Sequence, residues 1–275
     1  MCGSSSSCRR SPTFIRTLTR LDRWARFDFP ESERGPFAGR QSFAQKKLQE
    51  LRRTVNRKPV SMLRVTEIFR SIQGESTHAG RPCAFVRLTG CPMRCVWCDS
   101  EYTFTGGDHF TVDNVISKVR AFNCKLVEVT GGEPLAQREA FILIKRLCDE
   151  GFEVLIETGG FVSTEDLDHR AQIILDVKCP GSGESARNHW PNLERLRTGK
   201  DEVKFVITNM DDWKYALEII ERYELDRRAK AVLVSPAWGA LDLKDLAEWI
   251  SSSGLDVRMQ LQLHKYIWGP EVHGV

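Results

Sequence analysis

The sequence predicts an α/β fold in which a mostly parallel sheet curls into a partial, open TIM-like barrel. Three observations lead to it. From residue 63 onward, short apolar runs alternate with amphipathic stretches, the pattern of repeated βα units. Polar and glycine-rich turns follow those runs at 90–100, 130–134, 157–160, 178–184 and 235–239, so they should face one common mouth at the carboxyl ends of the strands. The stretch from 62 to 275 also falls short of the roughly 250 residues of a comfortable closed eight-unit barrel.

The elements follow in order. Residues 64–69 alternate and read as a strand, and 71–80 as a polar turn. Residues 84–88 form a second strand that runs straight into a loop containing Cys91, Cys95 and Cys98. A helix is expected over 111–122 with Thr111 as its N-cap, then a strand over 126–130 ending in Gly-Gly-Glu-Pro. Residues 138–150 read as a helix, 152–157 and 173–177 as strands. Further strands are expected at 202–207, 231–234 and 257–263, with helices at 211–223 and 242–251.

The front of the chain differs in kind. Residues 1–61 hold 14 Lys+Arg against 5 Asp+Glu, while the remainder holds 26 against 32, so the net +3 hides a basic segment and an acidic domain. Residues 1–61 are expected to lie outside the folded domain, as a disordered extension, a transit-like segment or the product of an upstream start. A helix is expected over 40–57, polar and without a wide apolar face. The catalytic domain is placed at 62–275. No apolar run approaches a membrane span, and nucleic acid is not the expected partner. Nine cysteines without an apolar leader point to a reducing compartment, the cytoplasm, and to metal or reactive thiols rather than disulfides.

The chemistry centres on Cys91, Cys95 and Cys98, spaced C-x3-C-x2-C around Pro92. Pro92 disfavours a helix there, and a loop wrapped around a cluster suits it better. Three thiolates can hold three irons of a cubane, leaving the fourth open to another ligand. Followed by Gly131-Gly132-Glu133-Pro134, this arrangement resembles the radical S-adenosylmethionine superfamily. Glu67-Ile-Phe, Gln73-Gly-Glu75, Gly80-Arg-Pro, Phe85-Val-Arg87, Cys98-Asp-Ser100, Ile156-Glu-Thr-Gly159, Val203-Lys-Phe-Val206 and Gln262-Leu-His-Lys-Tyr-Ile-Trp-Gly269 narrow the resemblance to the 7-carboxy-7-deazaguanine synthase family. It covers the chain from about Glu67 to the end. Gly159 stands where Asn is often seen in that family, and Lys178-Cys179-Pro180 departs from its Ser-Pro-Lys turn.

The resemblance implies the barrel of the radical S-adenosylmethionine type and a lyase reaction toward queuosine. In that reaction 6-carboxy-5,6,7,8-tetrahydropterin becomes 7-carboxy-7-deazaguanine with loss of ammonia. Reductive cleavage of S-adenosylmethionine would give a 5′-deoxyadenosyl radical that takes hydrogen from C6 of the pterin. By matched position, Cys91, Cys95 and Cys98 hold a [4Fe-4S] cluster. Gly132, Trp97, Asp176, Val177, Lys178, Ser235, Pro236, Ala237 and Trp238 contact S-adenosylmethionine. Ile72, Gln73, Gly74, Glu75, Arg87, Thr130 and His264 contact the pterin, with Arg87 suited to its carboxylate through two parallel hydrogen bonds. Ser100 takes Mg2+, and Glu157 removes the proton at C7. A homodimer and an electron donor such as flavodoxin or ferredoxin complete the expectation.

Duller readings stand beside these. The three cysteines suit a structural zinc site completed by Cys83 or a histidine, in a binding module. A glycyl-radical activase would share the cysteine spacing but has no need of Gln73-Gly-Glu75. Arg87 can pair with a buried acid, His264 can be a core histidine, and Trp97 can be plain packing. Cys83, Cys124, Cys148 and Cys179 read as small buried hydrophobes.

Overall fold

The structure, a computed structural model, describes residues 62–275 and Lys46. Expectations for the front segment, including the helix over 40–57, lie outside the described residues, save that Lys46 is helical.

Among the described residues nine strands form one sheet in the order β3-β1-β2-β4-β5-β6-β7-β8-β9. They are β1 (Met62–Ile72), β2 (Pro82–Leu88), β3 (Asp108–Thr111), β4 (Leu126–Gly131), β5 (Glu153–Thr158), β6 (Gln172–Val177), β7 (Glu202–Ile207), β8 (Ala231–Pro236) and β9 (Arg258–Met259). From β2 to β9 every pairing is parallel. β1 runs antiparallel to both its neighbours, β2 and β3. The sheet has two edges, β3 and β9, and so is an open barrel rather than a closed one.

The helices are α1 (Val112–Ala121), α2 (Arg138–Asp149), α3 (Pro191–Glu194), α4 (Met210–Arg222), α5 (Leu225–Arg228), α6 (Leu243–Ser253) and α7 (Leu263–Trp268). Their starts are written in the sequence. Thr111 accepts from Asn114 N, Asn209 from Asp211 N and Asp212 N, and Asp242 from Lys244 N. The apolar stripe of α1, with Val115, Ile116 and Val119 buried, packs with that of α2 on the outer face of β1, β2 and β4. Each such side chain contributes about 1.5–3 kcal/mol on burial. A second outer core, around Phe205, Trp213 and Ile220, joins β6–β8 to α4.

The inner face carries a smaller apolar layer of Cys83, Phe85, Leu126, Leu155, Ile174 and Leu233. One alternation step further along those strands stand Arg87, Glu128, Glu157, Asp176 and Ser235, and Lys204 of β7 joins them. Period-two geometry thus places one polar side chain from each of six strands on the wall of the barrel, nearer its mouth.

The β1–β2 turn closes the opposite end. Its Thr77 donates through N and Oγ1 to Glu202, the first residue of β7. His78 Nε2 lies 3.1 Å from Gln172 Oε1, at the start of β6. Arg81 donates at 2.8 and 2.6 Å to the two carboxylate oxygens of Glu153, at the start of β5. A turn that reads as merely polar is therefore the floor of the barrel.

Two expectations need correction. The last strand is confined to Arg258–Met259, and Leu263 opens α7 instead of ending a strand. Gln260 N still donates to Val234 O at 2.9 Å, but by Leu263 the backbone has left β8 and donates to Gly74 O at 2.9 Å instead, with the Gln260 side chain turned inward to Ser76 N, Glu75 and Ser235. The sheet also has an edge strand, β3, where no strand was expected.

Candidate active site

Every expected site residue except Val177 borders one cleft at the mouth of the barrel, a cavity of about 200 Å³. Val177 points the other way, into the core beneath α4, so its side chain does not reach the cleft.

The cysteine loop forms the upper wall. Cys91, Cys95 and Cys98 are free, half-buried thiols. Among the described residues no three His, Cys, Asp or Glu gather closely enough to share one metal ion. Three thiolates on one loop can each take a different iron of a cluster. Cys83, the suggested fourth zinc ligand, is fully buried in the inner apolar layer and does not border the cleft. Cys124, Cys148 and Cys179 are buried as well.

Glycines set the loop against its neighbour. A Cβ on Gly132 would meet Cys91 Cβ and Gly90 O, each at 2.6 Å. Gly132 N donates to Leu88 O at 3.2 Å and Glu133 N to Gly90 O at 2.9 Å. The Gly-Gly-Glu-Pro turn is thus clamped to the chain entering the cysteine loop. Glu133 itself is wholly buried and structural. It accepts from Leu135 N, Thr158 Oγ1 and Gly159 N at 2.8–3.0 Å, tying this turn to the end of β5. Gly159 has a packing reason too, since a Cβ there would meet Met93 Cε at 2.3 Å.

On the side of β6, Lys178 Nζ donates to Asp176 Oδ2 at 2.8 Å and lies 4.9 Å from the centre of the Trp97 ring. Burial alone would lower the Lys178 pKa, but Asp176 overrides it and holds the amine charged. Asp176 Oδ1 and Trp97 Nε1 are buried without a partner among the described residues. One orphan acceptor and one orphan donor at a cleft wall suit the hydroxyl and heteroatom groups of a bound nucleoside. The free thiols, the Gly132 cradle and these orphans together fit a cluster and S-adenosylmethionine.

The deeper half of the cleft is ionic. Arg87 Nε donates to Glu67 Oε1 at 2.7 Å, and Tyr102 OH donates to the same oxygen at 2.9 Å. Arg87 therefore has the acidic neighbour of the duller reading, yet among the described residues its two terminal nitrogens make no hydrogen bond. Glu75 accepts from Lys204, Gln260 and Gln262. Burial would raise the Glu75 pKa, but Lys204 outweighs it and keeps the carboxyl below its ordinary range. Glu157 Oε1 accepts from Lys204 Nζ at 2.8 Å. Gln73 is 3% exposed and its amide donates to Glu128. His264 is half-buried against Gly74 rather than sealed in a core, and burial lowers its pKa below the usual histidine value. Ser100 Oγ bonds Asp99 Oδ1 at 3.0 Å, and Asp99 is held by Lys265 at 2.6 Å and Gln262 at 3.0 Å.

Glu128, Lys204 and Asp99 border the cleft without having been singled out as site residues. The first two had a visible signal. Each is a charge flanked by apolar residues within a strand, Leu-Val-Glu-Val and Val-Lys-Phe-Val.

The model of the Radical SAM superfamily matches residues 85–183, the stretch from β2 through the cysteine loop to the turn after β6. A 7-carboxy-7-deazaguanine synthase of Koribacter versatilis is 44% identical over 78% of this chain and 100% of its own length. The chain belongs to the 7-carboxy-7-deazaguanine synthase family. A synthase of Thermoplasma acidophilum is 38% identical over 77% of this chain and 99% of its own. The crystal structure of QueE from Escherichia coli superposes with a TM-score of 0.61 at 21% identity, covering 72% of this chain and 94% of that one, which is a likeness of fold. As a synthase of this family the chain is a radical S-adenosylmethionine enzyme. That membership also settles the choice against a glycyl-radical activase and a binding module.

Proposed function

We propose that this chain converts 6-carboxy-5,6,7,8-tetrahydropterin to 7-carboxy-7-deazaguanine with loss of ammonia. The observation that carries it is the convergence, in one cleft, of three free thiols with Arg87, Glu75, Glu157 and His264. A cluster on Cys91, Cys95 and Cys98, with S-adenosylmethionine against Gly132, Trp97, Asp176, Lys178 and 235–238, supplies the one-electron chemistry that opens the pterin to rearrangement.

The chain's own residues do the rest. The terminal nitrogens of Arg87 take the substrate carboxylate in a two-point hydrogen bond, while Glu67 holds Nε and fixes the plane of the guanidinium. Glu75 accepts N–H donors of the ring, and Gln73, Gly74, Ile72, Thr130 and His264 complete the contact. Glu157 takes the proton released at C7. The floor beneath Gln73 and Glu75 keeps bulk water from entering from below.

Mg2+ belongs at Ser100, with substrate oxygens and water filling its shell. The working form is a homodimer in the cytoplasm, reduced by a flavodoxin or ferredoxin. Among the described residues no helix is long and apolar enough to cross a membrane.

The test is anaerobic reconstitution with iron and sulfide, followed by incubation with a reductant, S-adenosylmethionine and the carboxypterin. A brown protein that forms 7-carboxy-7-deazaguanine supports the reading. A colourless protein with stoichiometric zinc overturns it, as does a brown one that cleaves S-adenosylmethionine without touching the pterin.

A further inference from the structure

One ammonium in the cleft serves two carboxylates from different parts of the chain. Lys204 Nζ, on β7, lies 2.8 Å from Glu157 Oε1 at the end of β5 and 2.5 Å from Glu75 Oε2 in the β1–β2 turn. Its side chain is only 7% exposed, so solvent screens these pairs little. Burial by itself would strip the proton from such an amine, yet Glu157 and Glu75 reverse this and raise its pKa well above the ordinary value.

A third carboxyl completes the group. Glu128, on β4, is 3% exposed, and its hydrogen bond comes from the Gln73 amide instead of a cation. Burial, followed by the charges of Glu157 and Glu75, holds it protonated well above the ordinary carboxylate range. Arg87, the other cation nearby, is already paired with Glu67. Three carboxyl groups therefore gather beside the Lys204 ammonium. Glu75, paired with it, is held below its ordinary range, while Glu128, which has no cation of its own, stays neutral.

We propose that Lys204 is a positioning residue for the reaction, holding Glu157, the base, and Glu75, the substrate contact, at set places in the cleft through a single ammonium. This rests on the function proposed above. A carboxylate base must point at the atom that gives up the proton. The ion pair with Lys204 fixes where the Glu157 carboxylate sits while anchoring Glu75 on the substrate side. The groups facing Glu157 and Lys204 are Glu75 from the β1–β2 turn, Asp99 from the cysteine loop, Glu128 from β4, Asp176 from β6, Lys178 after β6 and His264 from α7. Lys178 is bonded to Asp176, and burial lowers the His264 pKa, so neither replaces the lysine between Glu157 and Glu75.

The test compares Lys204→Met and Lys204→Arg with the native chain by two readouts. In the reconstituted enzyme, Lys204→Met is expected to lower kcat/KM at least tenfold, with Lys204→Arg, which keeps the cation, restoring most of it. In the folded chain without cluster or substrate, the carbon-13 signal of the Glu75 carboxyl is expected to titrate at higher pH in Lys204→Met, because Lys204 holds that carboxyl low. Where Lys204→Met does not fold, Lys204→Gln serves in its place. A loss of activity that Lys204→Arg does not restore, with the Glu75 midpoint unchanged in Lys204→Met, reduces Lys204 to packing and overturns the proposal. A native chain that makes no 7-carboxy-7-deazaguanine, but whose carboxyl midpoints still move on substitution, overturns the assignment to this reaction and leaves the ion pairing standing. The two failures are thus distinguishable.

Discussion

Gly74 and His264 touch without room for a methyl group between them. A Cβ on Gly74 would lie 2.2 Å from His264 Nδ1, and Leu263 N donates to Gly74 O at 2.9 Å. Two segments nearly two hundred residues apart in sequence thus form one wall of the cleft, and each fixes the other. Replacing Gly74 by Ala is expected to push the imidazole aside without unfolding the barrel. KM for the carboxypterin should rise roughly tenfold, equivalent to about 1.4 kcal/mol, with iron content unchanged. Steady-state kinetics beside an iron assay check this.

Gly132→Ala should act on the other half of the site. The new methyl group meets Cys91 Cβ and the Gly90 carbonyl, and backbone cannot move aside as the end of a flexible side chain can. The cost is expected at about 1–3 kcal/mol, the range for overpacking. Lower cluster occupancy after reconstitution and weaker binding of S-adenosylmethionine are the readouts, by cluster absorbance and calorimetry.

Arg87→Ala should weaken carboxypterin binding by about 2–5 kcal/mol, the range for truncating one partner of a buried charge pair, and leave the cluster intact. Arg87→Lys should recover little, because an ammonium cannot hold Glu67 and bond a carboxylate at two points at once. Binding measured on the reconstituted variants decides. A variant that loses iron but keeps affinity would contradict the role.

Glu128→Gln should change how stability depends on pH. The unfolded chain loses the Glu128 proton as pH passes the ordinary value of about 4.5, whereas the folded chain keeps it. The folded form then binds more protons, so this group makes stability fall as pH rises above that value. Glutamine has no proton to lose. The melting temperature of Glu128→Gln should gain on that of the native chain between about pH 5 and about pH 8. An equal gap at both ends would contradict a carboxyl held neutral.

Much of this was legible in the sequence because local rules were obeyed. Thr111, Asn209 and Asp242 are caps in the expected chemistry, and β7 spans the very residues that alternation marked out. The cysteine spacing and Gly131-Gly132-Glu133-Pro134 announced the chemistry of the site. What stayed hidden was partnership across distance. Glu128 and Lys204 were visible as charges in apolar strands, but only closure of the barrel shows that they share one wall with Glu75 and Glu157. Residues 257–263 read as a strand because apolar and polar residues alternate there. Pairing with β8 goes no further than Gln260 N on Val234 O, and Leu263 N donates to Gly74 O instead, so a tertiary contact overrides the pattern. Val177 was carried with its neighbours Asp176 and Lys178, although alternation sends it to the opposite face.

The central claim is that one cleft brings the radical chemistry of the cysteine loop to the C6 hydrogen of a carboxypterin. The most direct measurement is the mass of the 5′-deoxyadenosine formed when the reconstituted enzyme turns over substrate deuterated at C6. The account predicts 5′-deoxyadenosine one mass unit heavier, formed together with 7-carboxy-7-deazaguanine. Unlabelled 5′-deoxyadenosine, or product formed without it, would contradict the account.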